Sequence, residues 1–189
     1  MSAPIGVLAL QGDFEAHEKA LARAGASPFP VRTREELERA AGLVIPGGES
    51  TTMLKLLHLE SLFEPLREYC RRRPIFGTCA GAILLASEVS HPAQESLSLV
   101  DMAVERNAYG RQLDSRVVQL PLNGDQVEAV FIRAPIIRRV GSGGNVLATY
   151  LDDPVLVDFG RHLVATFHPE LTPDPRIHRL FLEKVEEWR

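Results

Sequence analysis

"PIFGTCAGAILLA", residues 74–86, sets a cysteine, Cys79, between Gly77 and Gly81, with one apolar run entering and another leaving. A short apolar run, a tight glycine turn and a second apolar run read as strand, turn and helix. That layout is a nucleophile elbow. A turn so tight throws its middle side chain out of the sheet, and a Cβ at either flanking position would crowd it, so Gly77 and Gly81 make room. The sulfur then lies at the first turn of a helix, whose positive end favours thiolate over thiol. This matters because an ordinary thiol, with a pKa of about 8.5, is only a few per cent ionised at neutral pH. The backbone N–H of Ala80 points to where an oxyanion would form. The same five residues would also suit a buried cysteine in a glycine-rich packing contact, so the flanking chain has to decide.

Upstream, strand and helix alternate. "IGVLAL" (5–10) reads as a buried strand meeting the "QGD" turn, and residues 13–24 follow with helical spacing of Phe14, His17, Leu21 and Ala24. Asp13 can cap that helix and Gly25 can end it. "SPFPV" is a second strand, "REELERA" a charged helix and "GLVIPGG" (42–48) a third strand. A helical region over about 50–73, interrupted near Pro65, leads to the strand "PIFG" and the helix "AGAILLAS". Alternation of this kind signals a parallel sheet covered by helices. Beyond position 95 the segments read as strands and turns rich in β-branched residues, until "DPRIHRLFLEKVEEW" closes the chain as an amphipathic helix. Ile177, Leu180, Phe181, Val185 and Trp188 form its apolar side. The expected architecture is a single α/β domain over residues 1–189, with a mixed, mostly parallel sheet flanked by helices.

Composition narrows the function classes. The chain of 189 residues is 45% hydrophobic with a formal charge of −4, so it offers no broad basic field for nucleic acid. The dense run "CRRRP" (70–74) suits the solvated end of a helix. Two cysteines, Cys70 and Cys79, do not make a disulfide framework, and a reducing cytoplasm is the expected location. The N-terminus lacks a basic leader with a long apolar segment, and no apolar run is long enough to span a bilayer. Neither a nucleic-acid nor a membrane partner is expected.

A cysteine nucleophile needs a base. Of six histidines, His17, His58, His162 and His178 have no carboxylate at meaningful spacing and read as structural or surface residues; His91, before Pro92, reads as solvated. His168 differs: it follows "LVATF" and precedes Pro169 and Glu170. Proline keeps its predecessor out of the α region, and in an extended segment residues i and i+2 face one side. Glu170 can therefore hold one imidazole nitrogen while the other faces the sulfur, in the order nucleophile, base, orienter. Cys70, with no such pattern around it, reads as a packing residue.

"GTCAG" with a later "FHPEL" resembles the class I, triad-type glutamine amidotransferases, a flavodoxin-like fold with a nucleophile elbow. "GVLALQGDF", "PGGESTT" (46–52), "ERNAYGRQ" (105–112) and "FIRAP" (131–135) are similar to the glutaminase subunits of pyridoxal 5′-phosphate synthases. The resemblance spans residues 5 to about 172. It departs at Arg116, where an aromatic is expected, and in the loop 89–96, "VSHPAQES"; neither is expected to touch a motif.

The resemblance implies hydrolysis of L-glutamine to glutamate and ammonia through a cysteinyl thioester. Cys79 is then the nucleophile, His168 the base and Glu170 its orienter. The oxyanion falls to backbone N–H groups of Ala80 and the Gly47–Gly48 segment, since a Gly-Gly peptide turns inward cheaply. A zwitterionic substrate asks for both charges: Glu49 for the ammonium, unless it caps the following helix, and Arg106 for the carboxylate. The backbone near Ile132 and Arg133 closes the pocket. The implied partner is a (β/α)₈ synthase subunit that uses the ammonia with ribose 5-phosphate and glyceraldehyde 3-phosphate. The Gln11–Gly12–Asp13 turn belongs to the expected docking surface, and no metal or bound cofactor is implied. Two alternatives remain at this level: a glutaminase serving another synthase, and a related cysteine hydrolase.

Overall fold

The computed structural model describes residues 3–107 and 115–188. Its central sheet has seven strands among the described residues, in the order β10-β11-β12-β4-β3-β1-β2. The core strands are β1 (Pro4–Leu8), β2 (Ser27–Val31), β3 (Gly42–Ile45) and β4 (Ile75–Thr78), all parallel. β12 (His162–Ala165) pairs parallel to β4, and β11 (Asp153–Phe159) and β10 (Asn145–Tyr150) extend that edge antiparallel. A mixed, mostly parallel sheet is what the alternation predicted.

Period-two alternation splits the apolar side chains between two faces. Val7, Val44 and Phe76 point to one face, where Leu21 of α1 (Phe14–Ala24) and Ile177, Phe181 and Val185 of α6 (Arg176–Glu187) cover them. Leu8, Leu43, Ile45 and Ile75 point to the other. There they meet α2 (Arg34–Arg39), α3 (Ser50–Leu59), α4 (Phe63–Cys70) and α5 (Ala80–Leu85).

The strands after position 95 do not all join this sheet. β5 (Ala86–Ser90), β6 (Val100–Glu105) and β9 (Ile136–Val140) form a second sheet, and β7 (Arg116–Leu122) pairs with β8 (Asp125–Phe131) as a hairpin. The hairpin turns on Asn123 and Gly124, both at positive φ (52° and 86°), as a two-residue turn between right-twisted strands requires. The second sheet packs with the α3/α4/α5 layer and the hairpin with the α1/α6 layer.

Several local expectations are corrected. The helical region breaks at Glu60–Leu62, where Ser61 has φ 53°, and not at Pro65. Pro65 lies in the first turn of α4, where the N–H it lacks would have no intrahelical acceptor. The helix after the elbow stops at Leu85, because Ala86 turns extended and opens β5. Gly25 ends α1 in the left-handed conformation (φ 98°), but Asp13 makes no side-chain cap. Trp188 is 43% exposed under the Arg161 guanidinium, 4.6 Å from its ring centroid, while His178 and Lys184 take buried places on α6.

Candidate active site

Four of the loops that matter leave the carboxyl ends of adjacent strands, the edge where open α/β sheets bind ligands. Gln11–Asp13 follows β1, Gly47–Glu49 follows β3, Cys79 follows β4 and His168 follows β12. At the elbow Cys79 has φ 48° and ψ −103°, a conformation that costs a non-glycine residue about 1–3 kcal/mol. Its N–H is anchored on the Ala165 carbonyl at 2.9 Å. The flanking glycines are sterically required. A Cβ on Gly81 would lie 2.1 Å from the Ile45 carbonyl oxygen, and one on Gly77 would lie 2.8 Å from the Gly81 backbone.

His168 meets the sulfur from the other side. Its N–H is tied to Val130 O at 2.8 Å, and its ring is 4% exposed. Nδ1 donates to Glu170 Oε1 at 2.7 Å, and the ring shares its cleft with the Cys79 thiol. With Nδ1 occupied, Nε2 is the nitrogen left for sulfur. Burial opposes a charge on this ring, but the hydrogen bonds with Cys79 and Glu170 outweigh it and push its pKa up to about 10. The i, i+2 pairing is reached by a different backbone path from the extended one expected. Pro169 starts a 3₁₀ turn (Pro169–Leu171), which its fixed φ suits, and the turn swings Glu170 back under the imidazole.

Around Cys79 and His168 opens a cleft of about 310 Å³, and Gly48, Glu49, Arg106, Ile132 and Arg133 line it. Gly47 is buried against the same centre: a Cβ there would lie 2.4 Å from His168 Cε1 and 3.3 Å from Cys79 Cβ. Its carbonyl accepts from the Asp13 N–H at 3.3 Å, which turns the Gly48 N–H away from that strand end. Ile132 O lies 3.9 Å from the sulfur, and Arg133 adopts φ 42° beside it. Ala80, the first residue of α5, carries a backbone N–H without an intrahelical acceptor.

The two charged candidates stand together. Arg106 Nη2 is 3.6 Å from Glu49 Oε1, and the arginine side chain is 10% exposed. Its Nε is buried without a hydrogen-bond partner among the described residues. Glu49 also caps α3, accepting from Thr51 N (3.1 Å), Thr52 N (2.7 Å), Thr52 Oγ1 and Thr51 Oγ1. Partial burial opposes ionisation, but these bonds draw the carboxyl pKa down to about 2, so it keeps its charge. Residues 108–112 of "ERNAYGRQ" lie outside the described residues.

The model of the SNO glutamine amidotransferase family matches residues 7–187. The chain belongs to this family. It is 60% identical over 189 residues to the pyridoxal 5′-phosphate synthase subunit PdxT of Solibacter usitatus, covering 96% of this chain and 98% of that one. With the same subunit of Koribacter versatilis it shares 54% over 183 residues, 96% of this chain and 95% of the relative. A crystal structure of a glutamine amidotransferase superposes with a TM-score of 0.90 at 48% identity, over 96% of this chain and 98% of the other.

In this amidotransferase other polar side chains stand close to the centre that local pattern did not reveal. His17 is fully buried, with Nε2 3.3 Å from Glu170 Oε2, so of the surface and structural readings the surface one falls. Gln11 Oε1 accepts from the Glu49 N–H at 3.0 Å. The loop 89–96 does touch a motif: Gln94 Oε1 accepts from Ser50 Oγ at 2.8 Å, and Ser50 lines the cleft. His58 likewise finds a distant partner, Glu95, at 2.8 Å. Cys70 is fully buried, and that burial pushes its thiol pKa far up, which makes it inert. Asp13 Oδ2 lies 3.8 Å from His168 Nδ1, and Asp13, His168 and Glu170 group within 4.8 Å. Since His168 Nδ1 and Glu170 Oε1 already hold each other, the group is organised as a hydrogen-bond network rather than as a metal cage.

Proposed function

We propose that this chain hydrolyses L-glutamine to glutamate and ammonia through a thioester on Cys79 and delivers the ammonia to a synthase subunit that makes pyridoxal 5′-phosphate. The observation that carries the chemistry is the imidazole of His168, hydrogen-bonded to Glu170 and lining one cleft with Cys79. Sulfur attacks the side-chain amide carbon and an S–C bond forms. The oxyanion is held by the N–H groups of Ala80 and Gly48. His168, carrying the thiol's proton, gives it to the departing nitrogen as the C–N bond breaks. Water then attacks the thioester, its proton passes to His168, and glutamate leaves as the Cys79 sulfur is regenerated.

The pocket suits a free amino acid. Arg106 offers the substrate carboxylate a largely buried guanidinium whose Nε has no partner among the described residues, and Glu49, its carboxyl pKa drawn down by its cap bonds, faces the ammonium. Gly47, Ile132 and Arg133 supply backbone around the amide. Arg106→Ala raises KM for glutamine by on the order of 10–100-fold with a smaller change in kcat, because a charge-assisted bond to substrate is lost. Steady-state kinetics with glutamine as the varied substrate check this.

The partner is a (β/α)₈ subunit, and the Gln11–Gly12–Asp13 turn beside the cleft is part of its docking surface. A cytoplasmic location fits a heteromeric enzyme of this kind, and no helix among the described residues is long and apolar enough to cross a membrane. Glutamate production is expected to be weak for the chain alone and stronger with its cognate synthase. Equal rates with and without that subunit would contradict the coupling.

A further inference from the structure

Behind the Cys79–His168–Glu170 row lies a second row of buried side chains. Glu170 Oε1 accepts from His168, but Oε2, equally buried, has no hydrogen-bond partner among the described residues. His17 Nε2 is 3.3 Å from that oxygen and 3.0 Å from Thr78 Oγ1. On its other side His17 Nδ1 is 3.0 Å from His178 Nε2, and His178 Nδ1 is buried with no partner among the described residues.

The protons in this row can be placed by elimination. Burial drives the pKa of His17 well below 6.5, and the neighbouring rings His178 and His168 push it the same way. Burial, with Arg23 nearby, takes His178 down to about 4. Both rings are therefore neutral at physiological pH and carry one N–H each. One proton lies between His17 Nδ1 and His178 Nε2. If His17 supplies it, His178 must bury an N–H on Nδ1 without an acceptor, and Glu170 Oε2 faces a bare lone pair. If His178 supplies it, His17 carries its N–H on Nε2, toward Glu170 Oε2 and Thr78. The unpartnered His178 Nδ1 is then only a lone pair. The second arrangement leaves fewer buried polar groups unmet.

We propose that His17 is a positioning residue: its Nε2–H holds the second oxygen of Glu170, and His178 fixes the tautomer that presents this proton. The inference rests on Glu170 orienting His168 in glutamine hydrolysis. A carboxylate held at one oxygen only can rotate about its terminal torsion, whose energy well is broad. Held at both, it keeps Oε1 on His168 Nδ1 and the imidazole on the sulfur. The groups facing His17 are His178 from α6, Thr78 from β4, and Glu170 and His168 from the segment after β12. Asp13, at the start of α1, reaches His168 rather than His17. β1 and β2, which also pack on α1, carry no titratable side chain.

Three variants of the full chain, assayed with the cognate synthase subunit present, test this. His17→Gln puts an amide N–H near the place of Nε2, His17→Asn near that of Nδ1, and His17→Leu removes both. Loss of alignment in the Leu and Asn variants lowers kcat by about 10- to 100-fold. KM stays within about threefold of the parent. The limb of the kcat/KM profile that reports loss of the His168 imidazolium proton moves down by about one pH unit, since the ring is then less well held as an imidazolium. His17→Gln recovers kcat to within about threefold of the parent and restores the limb. Parental kcat and limb in a folded Leu variant, or equal behaviour of Gln and Asn, overturns the proposal. If the Leu variant fails to fold, the Gln and Asn pair still decides. A loss of thermal stability with an unmoved limb also overturns it, because a purely structural residue behaves that way. Cys79→Ala serves as the control: if it still hydrolyses glutamine, the thioester reading fails; if it is dead while the His17 series is flat, only the present proposal fails.

Discussion

Cys79→Ala lowers glutamine hydrolysis by on the order of 10⁵-fold, to the level that binding and an oxyanion site alone can sustain. Cys79 is the one thiol among the described residues that line the cleft. Cys70, the last residue of α4, is fully buried in the helical layer. The substitution removes one sulfur from a site that is 6% exposed and relieves nothing in the packing of Gly77 or Gly81. The variant is therefore expected to fold, to bind glutamine and to form its complex with the synthase. Far-UV circular dichroism, glutamine binding by calorimetry and glutamate release report these separately. Retention of more than about a hundredth of the parental rate would rule out a thioester as the main route.

Glu170→Gln costs on the order of 10³- to 10⁴-fold in kcat, about 4–5 kcal/mol of activation free energy. The amide is nearly isosteric, so the 2.7 Å contact to His168 Nδ1 is retained in shape. What disappears is the charge that opposes an imidazolium. With the thiol bond alone, the ring's pKa falls back from about 10. The sign of the stability effect follows. A ring whose folded pKa lies above its ordinary 6.5 contributes stability that is fully present below that value and is lost as pH rises toward 10. The parent should therefore lose Tm progressively between those limits, and Glu170→Gln should show a flatter decline. A Tm that falls equally in both proteins, with kcat within about threefold of the parent, would remove Glu170 from the account.

The parts of this site that could be read in the sequence are those set by near neighbours. The elbow is legible because a tight turn demands small residues within two positions of Cys79, and Gly81 meets Ile45 O as that demand requires. The β1–α1–β2–α2–β3 alternation is legible for the same reason: each strand's inward set is written in consecutive residues. "HPE" gave the right partners through the wrong backbone, since proline restricts His168 in both an extended segment and a 3₁₀ turn. His17 was invisible because its partners, Thr78, Glu170 and His178, are all remote in sequence and meet it only once α1, α6 and β4 have packed. The contact of Gln94 with Ser50 was missed for the same reason. The later strands were recognised as strands, but β-propensity does not say which sheet a strand joins. That choice depends on the two opposite faces already built by β1, β3 and β4.

Labelling with a chloroketone analogue of glutamine, followed by peptide mass spectrometry, tests most directly whether sulfur, imidazole and carboxylate act as one unit in the cleft. One equivalent on Cys79, none on Cys70, and loss of glutaminase activity in step with the label are the expected result. Inactivation without modification of Cys79, or labelling of Cys79 that leaves glutamate production intact, would contradict it.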